Sequence, residues 1–455
     1  MNQHLPGSAR PVRAASEKQT KRPAAIPVFL FSVIAALALA PGLAQGALKG
    51  EAVDPIVSVI KATSLPGAVT IEEFALPTAY SSPYAIAVDK KDRIWFTEST
   101  GNNIGVYDPA SKVLKEYRIP STKDLPAPGL KTDPASKTIP EKIINVYSVG
   151  SPGSLVIDKD GIVWTALLMG NSIVRFDPDK EEMMEFLIPT ANSQPQDIAA
   201  DSKGRIWFVE KNGGKLGYLD PSTQKVVEMS LDPGAGPMGI AVDGKDDVWI
   251  GDVNGNYIGR YHAEAKTFKK FPINVPSAQP GQMRFDKSGK LWFTQPHTKQ
   301  LGVLFPGQGV FSVVNLVDFN AVPQGLAISA DDRIWVVDSV MGQIGYFDQV
   351  TMKWGVFEIG GAHSQPMGVA IDSKGDIWFT EGGMANKIAR LVRKSVPAAA
   401  GVTPQTGAEQ DLKKIADVEE HGKTTWLYKY GAAIVVVFLT ICGAFVALKF
   451  RSKKD

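Results

Sequence analysis

PMGIAVDGKDDVWIGDVNGNYIGRY (237–261) and PMGVAIDSKGDIWFTEGGMANKIARL (366–391) are nearly one phrase written twice in the same chain. Each opens on Pro and runs through small and apolar residues. It then turns through Asp and Gly, reaches a Trp, and ends in a second turn and another apolar run. Short apolar runs bounded by such turn residues read as antiparallel strands. The tryptophans set the register: Trp95, Trp164, Trp207, Trp249, Trp292, Trp335 and Trp378 are spaced by 42 or 43 residues after a first interval of 69. That first interval is one repeat plus an insertion. A strand-rich period of this length is the signature of propeller blades. Seven copies predict an all-β, seven-bladed β-propeller of four-stranded blades over residues 69–391.

The seventh copy lacks a fourth strand. The stretch VTIEEFALP (69–77) precedes the first full copy. It is expected to complete the last blade, closing the ring between the chain ends and leaving no open sheet edge. The insertion, at about 121–146, is expected to follow the fourth strand of the first blade. The other arrangement would make INVYSV that fourth strand.

The flanks have a different composition. Arg10, Arg13, Lys18, Lys21 and Arg22 precede an apolar run, Val28–Ala40, and then small residues. Residues 1–47 therefore read as a signal peptide or an N-terminal membrane segment. Residues 392–425 read as a stalk. Residues 426–450 read as a transmembrane helix, with 431–448 free of charge and Trp426, Tyr428 and Tyr430 at one border. Lys449, Arg451, Lys453 and Lys454 mark the cytoplasmic side, with 451–455 as the tail. The expected location is the cell membrane, single-pass at the C-terminus, with the propeller outside the cytoplasm. Cys442 is the only cysteine, so no disulfide framework exists. A net charge of +2 without a basic face excludes nucleic acid as a partner.

Strands of a blade alternate in direction, so the start of strand one and the end of strand two share one face. The residue after the leading Pro supplies Tyr84, Gln196, Met238, Gln324 and Met367 as candidate ligand contacts. Arg284 joins them because it replaces the Ala found at that position in other first strands. The end of strand two supplies Glu98, Glu210, Asp252, Asp338 and Glu381. Carboxylates gathered around one mouth point to a hard divalent cation, magnesium or calcium, or to a shared proton. The alternative is architectural, with each carboxylate capping loop N–H groups in its own blade. His297 and His363 fall in loops of the same face, in blades that do not touch, whereas His262 falls on the opposite one.

The repeated pattern P-x-G-I-A-V-D-x-x-G-x-I-W-F-T-E, then N-x-I-G-x-x-D and E-(F/Y)-x-(I/L)-P, resembles the streptogramin B lyase (virginiamycin B lyase) family. The resemblance covers about residues 69–391. It implies a seven-bladed propeller and, for the lyases, magnesium-assisted elimination at the ester of a cyclic depsipeptide. A post-Pro histidine would act as general base, and glutamates ending WFTE-like strands or preceding a Pro-His pair would hold the metal. Here the post-Pro residues are Tyr84, Gly153, Gln196, Met238, Gly281, Gln324 and Met367. None is histidine, and no residue before the Pro is acidic. Only Glu98, Glu210 and Glu381 match. The expectation is a membrane-anchored propeller binding a ligand or protein on a loop-rich acidic face; the alternative is a metal-assisted lyase or related hydrolase. No catalytic residue is assigned.

Overall fold

The structure, a computed structural model, describes residues 57–65, 67–120, 150–316, 321–360 and 364–393. The two predicted membrane segments, the stalk beyond Arg393, the insertion and His363 lie outside these residues. Among the described residues no helix is long and apolar enough to cross a membrane.

The repeats form seven blades of antiparallel strands. Blade one runs from Pro83–Val88 to Val113–Arg118, and blade two from Pro152–Ile157 to Glu182–Leu187. Blade three runs from Pro195–Ala200 to Lys225–Ser230, and blade four from Pro237–Val242 to Thr267–Pro272. Blade five runs from Met283–Phe285 to Val310–Asn315, and blade six from Pro323–Ile328 to Lys353–Glu358. Blade seven comprises Ser364–Ile371, Ile377–Gly383 and Lys387–Leu391. The strand Gly67–Ala75 runs antiparallel to Lys387–Leu391, with Ile71 opposite Leu391 and Phe74 opposite Ile388. Val57–Leu65 lies between that strand and blade six, so blades six and seven belong to one nine-stranded sheet.

The core is a set of wedges between blades, and the repeat tryptophans fill them. Trp95 packs with Val163 and Phe176 of blade two, and Trp164 with Ile198 and Phe208 of blade three. The same handover continues around the ring to Trp378, which packs on Ile86, Ile94 and Phe96 of blade one. All seven indoles are essentially buried. Truncating one to Ala would cost about 3–5 kcal/mol.

The phrase D-x-x-G-x-I-W also has a local reason. In six blades the Asp six residues before the Trp accepts the indole N–H on one oxygen, as Asp201 does from Trp207 at 2.8 Å. Its other oxygen accepts two backbone N–H groups of the turn, those of Lys203 and Arg205 in blade three. One carboxylate thus ties a hairpin turn to the core. The glycine of N-x-I-G has a packing cause. A Cβ at Gly105 would stand 2.1 Å from the Phe96 ring, and one at Gly302 would stand 2.2 Å from Phe293.

Inner strands are also joined directly. The Thr97 hydroxyl accepts from Ala85 N and donates to Gly153 O in the next blade. Thr380 does the same with Gly368 N and Tyr84 O. Elsewhere a longer side chain takes over this role. An Asp197 oxygen accepts from Ile240 N at 3.2 Å, and Gln282 Oε1 accepts from Leu326 N at 3.2 Å.

Candidate functional site

The starts of the first strands converge at one end of the ring. There the post-Pro residues Tyr84, Gln196, Met238, Gly281, Gln324 and Met367 line one cavity of about 40 Å³. A cavity that size holds about three waters. Ser154, Asp197, Gln282, Thr294 and Pro296 complete its wall. The β-bulge after the leading Pro interrupts strand pairing at these residues in six of the first strands. A bulge re-aims a side chain at the end of a ladder. Blade five differs: its first strand is cut to Met283–Phe285, and just before it the Gly281 N–H donates to Thr294 O while Gln282 O accepts from the Thr294 N–H.

Five of the six candidate ligand residues therefore meet around this cavity. The sixth, Arg284, is not in its wall and makes no ion pair with the strand-two carboxylates. Met283 and Phe285 point into the core shared with blade four. Arg284 points the other way and is exposed, donating to Met283 O.

The carboxylates at the ends of the second strands do not form an open acidic ring. Glu98, Glu210, Asp252 and Glu381 are fully buried, and Asp338 is 5% exposed. The last residue of strand two points between sheets rather than out of the mouth, which corrects the expectation of an acidic face. They fall into two kinds. Asp252 accepts from the backbone N–H groups of Gly236, Asn254 and Gly255 and from the Tyr257 hydroxyl. Asp338 accepts from those of Val322, Val340 and Met341. Both are loop caps.

The three glutamates instead sit against a second glutamate from the outer strand. Burial and the Glu116 carboxylate hold Glu98 well above the usual carboxylate range, while Asn103 donates to it at 2.8 Å. Burial and Glu228 push Glu210 up to about 7. Burial and Glu73 push Glu381 up to about 7. The outer partners have donors of their own. Thr78 serves Glu116, Thr190 N–H and Lys215 serve Glu228, and Lys387 serves Glu73.

These donors do not suit a hard cation, which takes ionised oxygens pointing at one centre. Three are held towards the neutral acid, two accept N–H groups of their own loops, and each sits in its own blade. Among the described residues no three His, Cys, Asp or Glu side chains come together as metal ligands would. No chemistry is routed through magnesium here.

Sequence reasoning missed Asp197, Gln282 and Ser154. Their signal was the loss of Gly from the Pro-x-Gly phrase, which Gly239, Gly325 and Gly368 keep. Burial lifts the Asp197 carboxyl above its usual range, against the pull of Arg284 and of donors from Ile240, Ile198 and Ser154. Burial and Asp197 together raise the Tyr84 phenol.

The same face carries exposed apolar side chains on its loops: Tyr80 and Met169 are 73% and 74% exposed, and Val340, Met341 and Met384 are also exposed. They belong to the contiguous arc of blades six, seven, one and two. Blades three to five present Lys211, Asn212, Asn254 and exposed His297 at the corresponding loops.

Seven four-stranded blades whose first strands converge at one end define a β-propeller. The chain belongs to the virginiamycin B lyase family, whose sequence profile matches residues 140–404. It is 31% identical over 160 residues to the virginiamycin B lyase of Nocardia farcinica, a match covering 33% of this chain and 56% of that enzyme. The matched stretch therefore spans little more than half of that relative. Selenomethionine-substituted virginiamycin B lyase from Staphylococcus aureus superposes with a TM-score of 0.61 at 24% identity, over 71% of this chain and 98% of that one. A catalytically inactive histidine-to-alanine variant of the Staphylococcus aureus enzyme, with quinupristin, matches to the same extent. At that identity the structural likeness speaks for the fold.

Proposed function

We propose that this protein is a binding propeller of the virginiamycin B lyase family, held at the membrane with the ring outside the cytoplasm, and that its mouth takes up a ligand without lyase chemistry. The observation that supports this most is the cavity wall. The post-Pro positions meet there, and they carry Tyr, Gln, Met and Gly where the family's chemistry calls for histidine. A neutral imidazole takes a proton near neutral pH; amide and thioether groups do not. The apolar arc from blade six to blade two gives a ligand or protein partner a rim to rest on. In this reading residues 69–77 complete blade seven and close the ring, and residues 426–450 anchor it.

The lyase alternative keeps one foothold. His297 follows Pro296, which lines the cavity, so it is the imidazole nearest the mouth among the described residues of that face. The test is direct. Full-length protein is incubated with quinupristin and magnesium, and the ring is followed by chromatography and mass. The binding reading predicts intact ester; ring opening lost in His297→Ala would replace it with the lyase reading. Protease protection in sealed membrane vesicles tests the topology, with the propeller accessible only from the non-cytoplasmic side.

A further inference from the structure

The loops of the mouth face divide by charge. In blades six, seven, one and two the loops between the second and third strands are SVMG (339–342), GGMAN (382–386), STGN (99–102) and LMGN (168–171). The chain enters blade one through PTAYSS (77–82). None of these five segments holds a charged residue. The corresponding loops of blades three to five hold Lys211, Asp232, His297 and Lys299. Of the ten exposed large apolar side chains among the described residues, six stand at the mouth end of the uncharged arc: Tyr80, Met169, Leu187, Val340, Met341 and Met384. Lipid contact demands this composition, because a charge pressed against hydrocarbon is costly. Tyr suits the headgroup level, and unbranched thioethers adapt to irregular apolar surroundings.

A patch of this kind takes either a protein or a membrane. The course of the chain favours the membrane. Val57–Leu65 starts opposite Phe74, near the mouth end of the strand Gly67–Ala75, whose Ala75 lies opposite Lys387. The chain thus reaches the ring at the mouth end of blade seven, in the middle of the arc. Residues 41–56 separate that strand from the apolar run Val28–Ala40. Sixteen residues span at most about 55 Å, so a retained apolar run keeps this end of the ring close to the bilayer. On the other side, Lys387–Leu391 runs away from the mouth. Residues 394–425 then precede the charge-free stretch 431–448. Extended, they span up to about 110 Å, several times the height of a six-residue strand, so this second tether leaves the mouth free to turn to the same membrane.

We propose that the uncharged arc of blades six, seven, one and two rests on the lipid bilayer, with Tyr80, Met169, Val340 and Met384 at the headgroup level, while blades three to five stay in water. The mouth then opens along the membrane surface, and a ligand lodged among the headgroups meets the same rim. This rests on the membrane reading above and adds the orientation of the ring.

The test uses full-length protein in phosphatidylcholine–phosphatidylglycerol liposomes, with Cys442→Ala removing its only cysteine. Met384→Cys, Met169→Cys, Asn254→Cys and Val350→Cys, one at a time, take a bimane label. All four positions are exposed, so the fold tolerates them. Asn254 lies on the mouth face outside the arc, and Val350 lies in a turn of the opposite face. Nitroxide-bearing lipid and iodide, the latter on both sides of the membrane, are the two quenchers. The expected result is that the lipid nitroxide removes most of the emission at 384 and 169 and iodide does not, with the reverse at 254 and 350. Tyr80→Glu combined with Val340→Glu should hand the arc labels back to iodide. Arc labels reached by iodide but not by the lipid nitroxide would overturn the proposal. Arc labels shielded from both would also overturn it, because residues 121–149 or another protein would then cover the arc. Equal quenching at all four positions, or no effect of the double variant, would do the same. Protease protection separates the two readings: a ring shown to lie outside the cytoplasm with its arc open to iodide loses only the orientation. Protein that does not stay with the liposomes sinks the membrane reading and this proposal together.

Discussion

Trp335 is the one repeat tryptophan, among the described residues, whose indole N–H finds no acceptor. Its blade carries Ser329 where the other six carry the Asp that receives that proton. The compensation is partial, an Arg393 guanidinium 6.0 Å from the ring centroid. Ser329→Asp should therefore stabilise the protein by about 1 kcal/mol, the usual net worth of a buried hydrogen bond. In the opposite sense, Asp201→Ala should destabilise by about 2–3 kcal/mol, since it orphans Trp207 and two turn N–H groups. Chemical denaturation of the variants measures both. The spacing of Asp and Trp was visible in the sequence, but its bond was not, because a turn Asp explains itself without a partner. The strand-two carboxylates show the same limit. Their positions could be counted from the repeat, but whether a side chain at a strand end points outward or between blades depends on the packing of a neighbour. Asp197 was hidden for another reason: it departs from the repeat, and repeat-based reading weights agreement.

At the level of the element, the turn between strands one and two shows why the phrase alternates between Gly and Asp. Its fourth residue has φ near +80° where it is Gly, as in Gly161, Gly204 and Gly375. It has φ of 58–62° where it is Asp, as in Asp92, Asp246 and Asp332. Gly accepts such angles freely and Asp only at some cost. Gly204→Ala should thus lower stability by about 1 kcal/mol, whereas Asp332→Gly should leave it within about 0.5 kcal/mol. Thermal unfolding of the two variants distinguishes them. Strands and turns were legible from apolar periodicity and turn residues, blade by blade. The shortening of the first strand in blade five was not. GQMRFD keeps the length of its equivalents, and nothing in its residue types marks where the regular pairing stops.

For the whole molecule, the period alone determined the architecture, because each blade must fit two neighbours of the same kind. The convergence of the post-Pro residues was also legible, since strand alternation puts them at one end. What the alternation could not give is depth. Apart from Asp197 the mouth is lined by neutral side chains, and the strand-two acids lie behind them. Those acids make the ring sensitive to pH. Glu210 and Glu381 hold their protons in the fold up to about pH 7. In the unfolded chain they release them near 4.3. The folded state therefore binds more protons within that window, and stability falls as pH rises from about 5 to 7. The limiting slope is about 1.4 kcal/mol per pH unit for each group. Below that window the trend reverses, because Asp89 and Asp246 are held under their usual range by their donors in spite of partial burial. Melting temperature should accordingly be higher at pH 5 than at pH 8, and the double variant Glu210→Gln with Glu381→Gln should flatten that decline.

The central claim is that these carboxylates are architecture and that the mouth is a binding site. Calorimetric titration of the full-length protein with magnesium and calcium at pH 7.5 tests it most directly, with Glu98→Gln and Glu381→Gln alongside. The account predicts no saturable heat from either cation and no difference among the proteins. A stoichiometric heat abolished by either substitution would contradict it, because the buried glutamates would then open onto a metal and the mouth would be a catalytic centre of the lyase kind.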